Sequence, residues 1–181
     1  MIKRQLEFNE KKICGVWLIL IGLVITLSTL AGGEKLINPI IFMLGYGVSF
    51  YAVYINPTIG KKLSQGPSTD FQNRMGNIGI ISLFVLMFLI SGPFFPAQNW
   101  RMIWTGTLLA TGLHFFVFYY VHGISMILLG AICAVLASVG MLMPEIPFLL
   151  IGAGDGLIKV LFGGYLLFLS KPTSTGIPVN S

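Results

Sequence analysis

Residues 13–30, ICGVWLILIGLVITLSTL, decide the fold. The stretch carries no charge over a length close to the roughly 20 residues an α-helix needs to cross a bilayer core about 30 Å thick. Its apolar residues run continuously and leave no polar face for water, so it reads as a membrane span and not as an amphipathic surface helix. Lys3, Arg4, Lys11 and Lys12 precede it and Thr29-Leu30-Ala31 follows it. That arrangement looks like a signal peptide, but an apolar run of about 18 residues exceeds the usual 7 to 15 of a cleaved one, and the segment is expected to be retained.

Working outward, five more runs of the same kind follow at about Leu36–Tyr54, Ile78–Phe95, Met102–Val121, Ile124–Met143 and Phe148–Leu169. The expected fold is therefore all-α: a bundle of about six transmembrane helices forming one domain over residues 1–170. A short, polar, disordered cytoplasmic tail is expected over residues 171–181. The boundary between the fourth and fifth spans rests on His122-Gly123 as the turn. Composition agrees, with 55% hydrophobic and 9% charged residues and a mean hydropathy of +0.88. Six spans nearly consume the 181 residues, which leaves no room for a separate soluble domain.

The net charge of +5 does not point to nucleic acid, because the basic residues form small groups beside the apolar runs and no continuous stripe. They read instead as topology signals. Lys3, Arg4, Lys11, Lys12, Lys61, Lys62, Arg74 and Lys171 would lie on one side, and only Lys35 and Arg101 on the other. Positive residues prefer the cytoplasmic side, so both termini are expected there, in the cell membrane. Trp17, Trp100, Trp104 and Phe94-Phe95 then fall near the interfaces, where amphipathic rings are favoured. The polar connection Ile55–Asn77 is read as a cytoplasmic loop, either a plain linker or a docking site for a partner or anionic lipid. Cys14 and Cys133 sit at different depths without metal-site spacing and are read as apolar filler, and no metal or cofactor is expected.

Ionisable groups inside the spans carry the most information, since each costs several kcal/mol unless it faces protein or water. His114, Asp155 and Lys159 qualify. Counting about 1.5 Å per residue puts Asp155 about 10 Å deep, Lys159 about 16 Å and His114 about 18 Å. The offset of four places Asp155 and Lys159 on one helix face, where they can pair. Thr107, Thr111 and His114 form a polar stripe on the fourth span that should face the bundle interior. Two readings compete: a buried ion pair and histidine that fix helix packing, or a midplane binding or proton-handling site with the threonines as hydroxyl ligands. Nearby, Gly152 and Gly156 make a small-xxx-small face, suited to close helix approach or to a local break beside Asp155.

Gly152-Ala153-Gly154-Asp155 also resembles the G-x-G-D motif of intramembrane aspartyl proteases and prepilin peptidases, which would imply peptide-bond hydrolysis within the membrane. Those families use two aspartates, and the only other one here is Asp70, in a loop. Lys159 would moreover hold Asp155 ionised. A P-loop, a paired-histidine metal helix and a G-x-S-x-G elbow are absent from the sequence. His122 is read as a solvated or capping turn residue, Glu145 as a loop acid and Arg101 as an interfacial anchor. With its basic N-terminus, compact loops and glycine-rich sixth span, the chain resembles uncharacterised small multi-pass membrane proteins of Gram-positive bacteria.

The sequence thus supports a non-enzymatic accessory or sensor protein first, and a small transporter or channel using His114, Asp155 and Lys159 second. A membrane-embedded enzyme comes third. The expected partners are the lipid bilayer and either another membrane protein or a second copy of the chain, with the small molecule or ion, if any, left open.

Overall fold

The computed structural model describes residues 4–179; Lys3 of the N-terminal basic group and the last two residues of the tail lie outside them. Apart from the connecting turns and two short strands, the described residues are helical. Strand β1 (Arg4–Glu7) leads into α1 (Lys11–Leu30), followed by α2 (Pro39–Phe50), α3 (Pro57–Leu63), α4 (Asp70–Ser91), α5 (Trp100–His114), α6 (Tyr119–His122), α7 (Ser125–Leu142), α8 (Phe148–Gly164) and β2 (Ser174–Val179). Among the described residues, four helical stretches are long and apolar enough to cross a membrane: Lys11–Leu30, Asp70–Phe94, Ser125–Leu142 and Phe148–Leu169. Pro39–Ile55 is apolar but shorter.

Local chemistry sets the boundaries. The Asn38 side chain accepts from the Ile40 and Ile41 amides, with Pro39 in the first turn, and starts α2. Thr69 and Gln72 close a reciprocal capping box that starts α4 at Asp70, eight residues before the apolar run at Ile78. A good cap lets two polar turns join a helix that hydropathy alone would shorten. The expected span Met102–Val121 is interrupted: α5 stops at His114, and Phe116, Val117 and Tyr119 donate to carbonyls three residues back. The run Phe115–Tyr120 is almost wholly aromatic, and such side chains lose rotamer freedom against a preceding helical turn, which weakens the helix there. α2 and α8 each end in a π-helical turn, Tyr51–Ile55 and Tyr165–Leu169, whose last bonds run from Asn56 to Tyr51 and from Ser170 to Tyr165.

Helices α1, α5, α7 and α8 enclose the core, α2 lies on α1, and α4 leans on α5 and α6. One core cluster joins Ile21, Ile25, Ile37, Trp104, Leu108, Ala137, Phe148 and Ile151. A second joins Cys14, Leu18, Phe115, Met126, Leu129, Cys133 and Leu166 towards the end where the termini lie. α1 and α8 run antiparallel with glycines facing at seven-residue intervals. A Cβ on Gly22 would stand 2.4 Å from the Gly156 carbonyl oxygen, and one on Gly15 would stand 2.7 Å from that of Gly163. Only hydrogen fits at these positions, so the two backbones touch and gain dispersion contact along the whole seam. Outside, Phe88, Phe168 and Leu142 are exposed by 77%, 78% and 80%, a surface suited to lipid tails.

Two expectations change. The tail read as disordered forms β2, which pairs antiparallel with β1, Glu7 opposite Ser174 and Leu6 opposite Thr175. The backbone groups of the two strands that face each other are thereby paired. Trp104, read from the sequence only by its depth, is buried against the core, and its indole N–H donates to the Lys35 carbonyl at 2.7 Å. His122, expected at a solvated turn, is buried, because Phe8 of the N-terminal segment covers Gly123 beside it.

Candidate functional site

The i,i+4 spacing on α8 pairs Lys159 with Asp155 through Nζ and Oδ2, and both side chains are closed off, at 0% and 1% exposure. Gly156, one residue on, lets α1 approach close enough to seal that side. The Lys159 ammonium also stands 3.8 Å from the Cys133 Sγ of α7 and 5.9 Å from the centroid of the Phe115 ring. A thiol and an aromatic face are weak partners for a cation, so the carboxylate is the principal one. Among the described residues, Asp155 Oδ1 has no hydrogen-bond partner.

The structure does not bring His114 into this pair. Its Nδ1 contacts the Thr111 carbonyl on its own helix, and since a carbonyl only accepts, the hydrogen is on Nδ1. Its ring packs at 4.4 Å on Phe115 and 5.4 Å on Phe118. Phe115 therefore touches both the histidine and the lysine, while among the described residues no hydrogen bond joins them. The threonine stripe is likewise spent on backbone: Thr107 donates to Ile103 at 2.8 Å and Thr111 to Thr107 at 2.8 Å. Thr107 Oγ1 also meets Ser91 Oγ of α4 at 3.2 Å, a contact between helices. Among the described residues, no group of three or more acidic, histidine or cysteine side chains is placed to hold a metal.

Open space occurs elsewhere. A groove of about 430 Å³ lies between the first turns of α7 and the last of α8, lined by Ile124, Ser125, Leu128, Leu161, Phe162 and Tyr165. None of the five candidate residues lines it.

Two features escaped sequence reasoning. Arg101 is a clamp: its guanidinium donates to the carbonyls of Gly140, Met143 and Ile146 at 3.0, 2.9 and 2.9 Å, satisfying the C-terminal end of α7 and the turn beyond it. No local signal announces a partner 39 to 45 residues away. The α1 half of the glycine seam was findable, since Gly15 and Gly22 repeat the seven-residue spacing of Gly156 and Gly163.

Residues 1–176 match the Family of unknown function (DUF6609). The chain belongs to this family. No curated protein and no solved structure matches it. Membership in DUF6609 accords with the expected resemblance to an uncharacterised family and assigns no activity, so residue roles rest on the geometry described above.

Proposed function

We propose that this DUF6609 protein is a cell-membrane protein with six crossings and cytoplasmic termini, acting as a non-enzymatic accessory or sensor protein in contact with lipid and with a second membrane protein or a second copy of itself. An even number of crossings is supported by the pairing of β1 with β2, which holds both ends of the chain at one face. The cytoplasmic side is supported by the eight lysines and arginines at that face against two at the other.

The functional half of the proposal is carried by one observation: Asp155 and Lys159 are paired and enclosed, with His114 turned to its own backbone. A midplane site must admit its ligand, and here packed side chains and the α1 backbone occupy that approach. The charges then fix the register of α8 against α1 and α7. The test is flux through proteoliposomes containing the purified chain, read with proton- and cation-sensitive dyes. The expected result is no flux above protein-free vesicles, with Asp155→Asn making no difference. Flux that Asp155→Asn abolishes would overturn the proposal in favour of the second reading, a small transporter, which the unpartnered Asp155 Oδ1 favours.

A further inference from the structure

The end of the bundle that holds both termini is closed by a clasp of four segments. Residues 7–11 form its centre. The Glu7 carbonyl accepts from Gln72 Nε2 of α4 at 2.8 Å, and the Asn9 carbonyl accepts from the Gln65 amide at 3.1 Å. The Phe8 amide donates to Thr173 at 2.9 Å. Lys11 Nζ donates to the Lys171 carbonyl at 3.2 Å and to Thr173 Oγ1 at 2.7 Å. Leu6 and Phe8 are buried beneath, with Phe8 against Gly123, whose φ of +87° forms the turn into α7.

His122 stands at the bottom of this clasp. It is buried and stacks parallel on Phe118 at 5.8 Å, with 2° between the planes. Among the described residues its Nδ1 has no hydrogen-bond partner. Burial first, and then the nearby Lys11 ammonium, push its pKa down to about 4. Among the described residues, the other titratable groups of the elements at this end are Glu7, Glu10, Lys12 and Cys14 ahead of and on α1, Lys61 and Lys62 on α3, Asp70 and Arg74 on α4, Tyr119 and Tyr120 on α6 itself, and Lys171 beside β2; residues 125–132 of α7 bring none. Glu7, Asp70, Arg74 and Lys171 are exposed, and among the described residues no carboxylate is paired with His122 to receive a second buried positive charge.

We propose that this clasp is an acid-opened latch, in which a proton taken from solvent by His122 Nδ1 sets a buried imidazolium against the Lys11 ammonium and releases β1, β2 and Phe8 from the bundle. The latch names the signal, a fall in pH, for the sensor reading given above, and rests on that reading only for which compartment is sensed. The sign follows from linkage. In the open state His122 regains its ordinary pKa near 6.5 and binds the proton more tightly than in the closed state. Closure is therefore fully stable above about pH 6.5 and weakens as pH falls towards about 4. At pH 5 the ratio of open to closed chains should rise by about twentyfold over its value at pH 7.

The experiment uses the full chain in detergent micelles, with Cys14 and Cys133, both buried, replaced by alanine and spin labels on Glu7→Cys and Ser174→Cys. These positions face each other across the sheet, and the change at Glu7 also removes one alternative acid sensor. The spin–spin distance is followed from pH 7.5 to 4. The expected result is a short distance at pH 7.5, with a separated population growing through the window from 6.5 to 4. In His122→Phe, which keeps the stacking and cannot titrate, and in His122→Gln the short distance should persist across the range. Separation with the same midpoint in both variants, or none in the parent chain down to pH 4, overturns the latch. Either failure leaves the accessory reading standing, because that reading is decided by flux.

Discussion

Helices α4 and α8 look alike by hydropathy and occupy opposite places in the molecule. Both are long and apolar enough to span a membrane, but only 11% of the apolar stretch of α4 is buried, against 39% for that of α8. α8 carries Gly152, Gly156 and Gly163 on the face that meets α1, and Asp155 and Lys159 beside them. α4 has bulky side chains such as Ile81, Phe84 and Phe88 turned outward and is joined to α5 near its end by Ser91 and Thr107. Apolar content thus makes a helix able to cross a bilayer, while small and polar residues decide which helix goes to the centre. The reason is the solvent: lipid tails welcome a leucine as readily as a protein interior does, so close packing and polar pairing do the sorting.

The difference predicts a graded response to substitution, measured as unfolding free energy in bicelles. The largest loss is expected for Asp155→Asn, which strands a buried ammonium; breaking a buried pair from one side costs about 3–5 kcal/mol. Next comes Gly156→Val, whose Cβ would stand 2.5 Å from the Gly22 carbonyl oxygen, so the seam must part at a cost of about 1–3 kcal/mol. Ser91→Ala removes the interhelical hydroxyl contact and should cost about 0.6 kcal/mol, the average of such bonds in membrane proteins. Ile81→Ala on the outer face of α4 should fall within about 0.5 kcal/mol of the parent, because lipid replaces the lost contact. A reversal of this order, with α4 more sensitive than α8, would break the comparison.

What the sequence made legible follows the same division. The helical architecture and the Asp155–Lys159 pair could be read because each is local: an unbroken apolar run, or an offset of four on one face. The break after His114 was hidden because aromatic residues are as apolar as those of a continuous span, and hydropathy does not register their poor fit to a helix. The stripe Thr107, Thr111, His114 was visible, but whether such hydroxyls serve a ligand or the carbonyl four residues back is a matter of rotamer, which spacing does not encode. The clasp was out of reach, since β1 and β2 join opposite ends of the chain and neither is a strand without the other.

The central claim, that the charges of α8 serve packing, is tested most directly by comparing the unfolding free energy of Asp155→Asn with that of the double variant Asp155→Asn, Lys159→Met. If the pair is a closed structural element, the double variant should recover most of the stability lost in the single one, since no unpaired charge remains and methionine fills the lysine's volume. A double variant as unstable as the single one would contradict the account and return Asp155 to the list of residues held for chemistry.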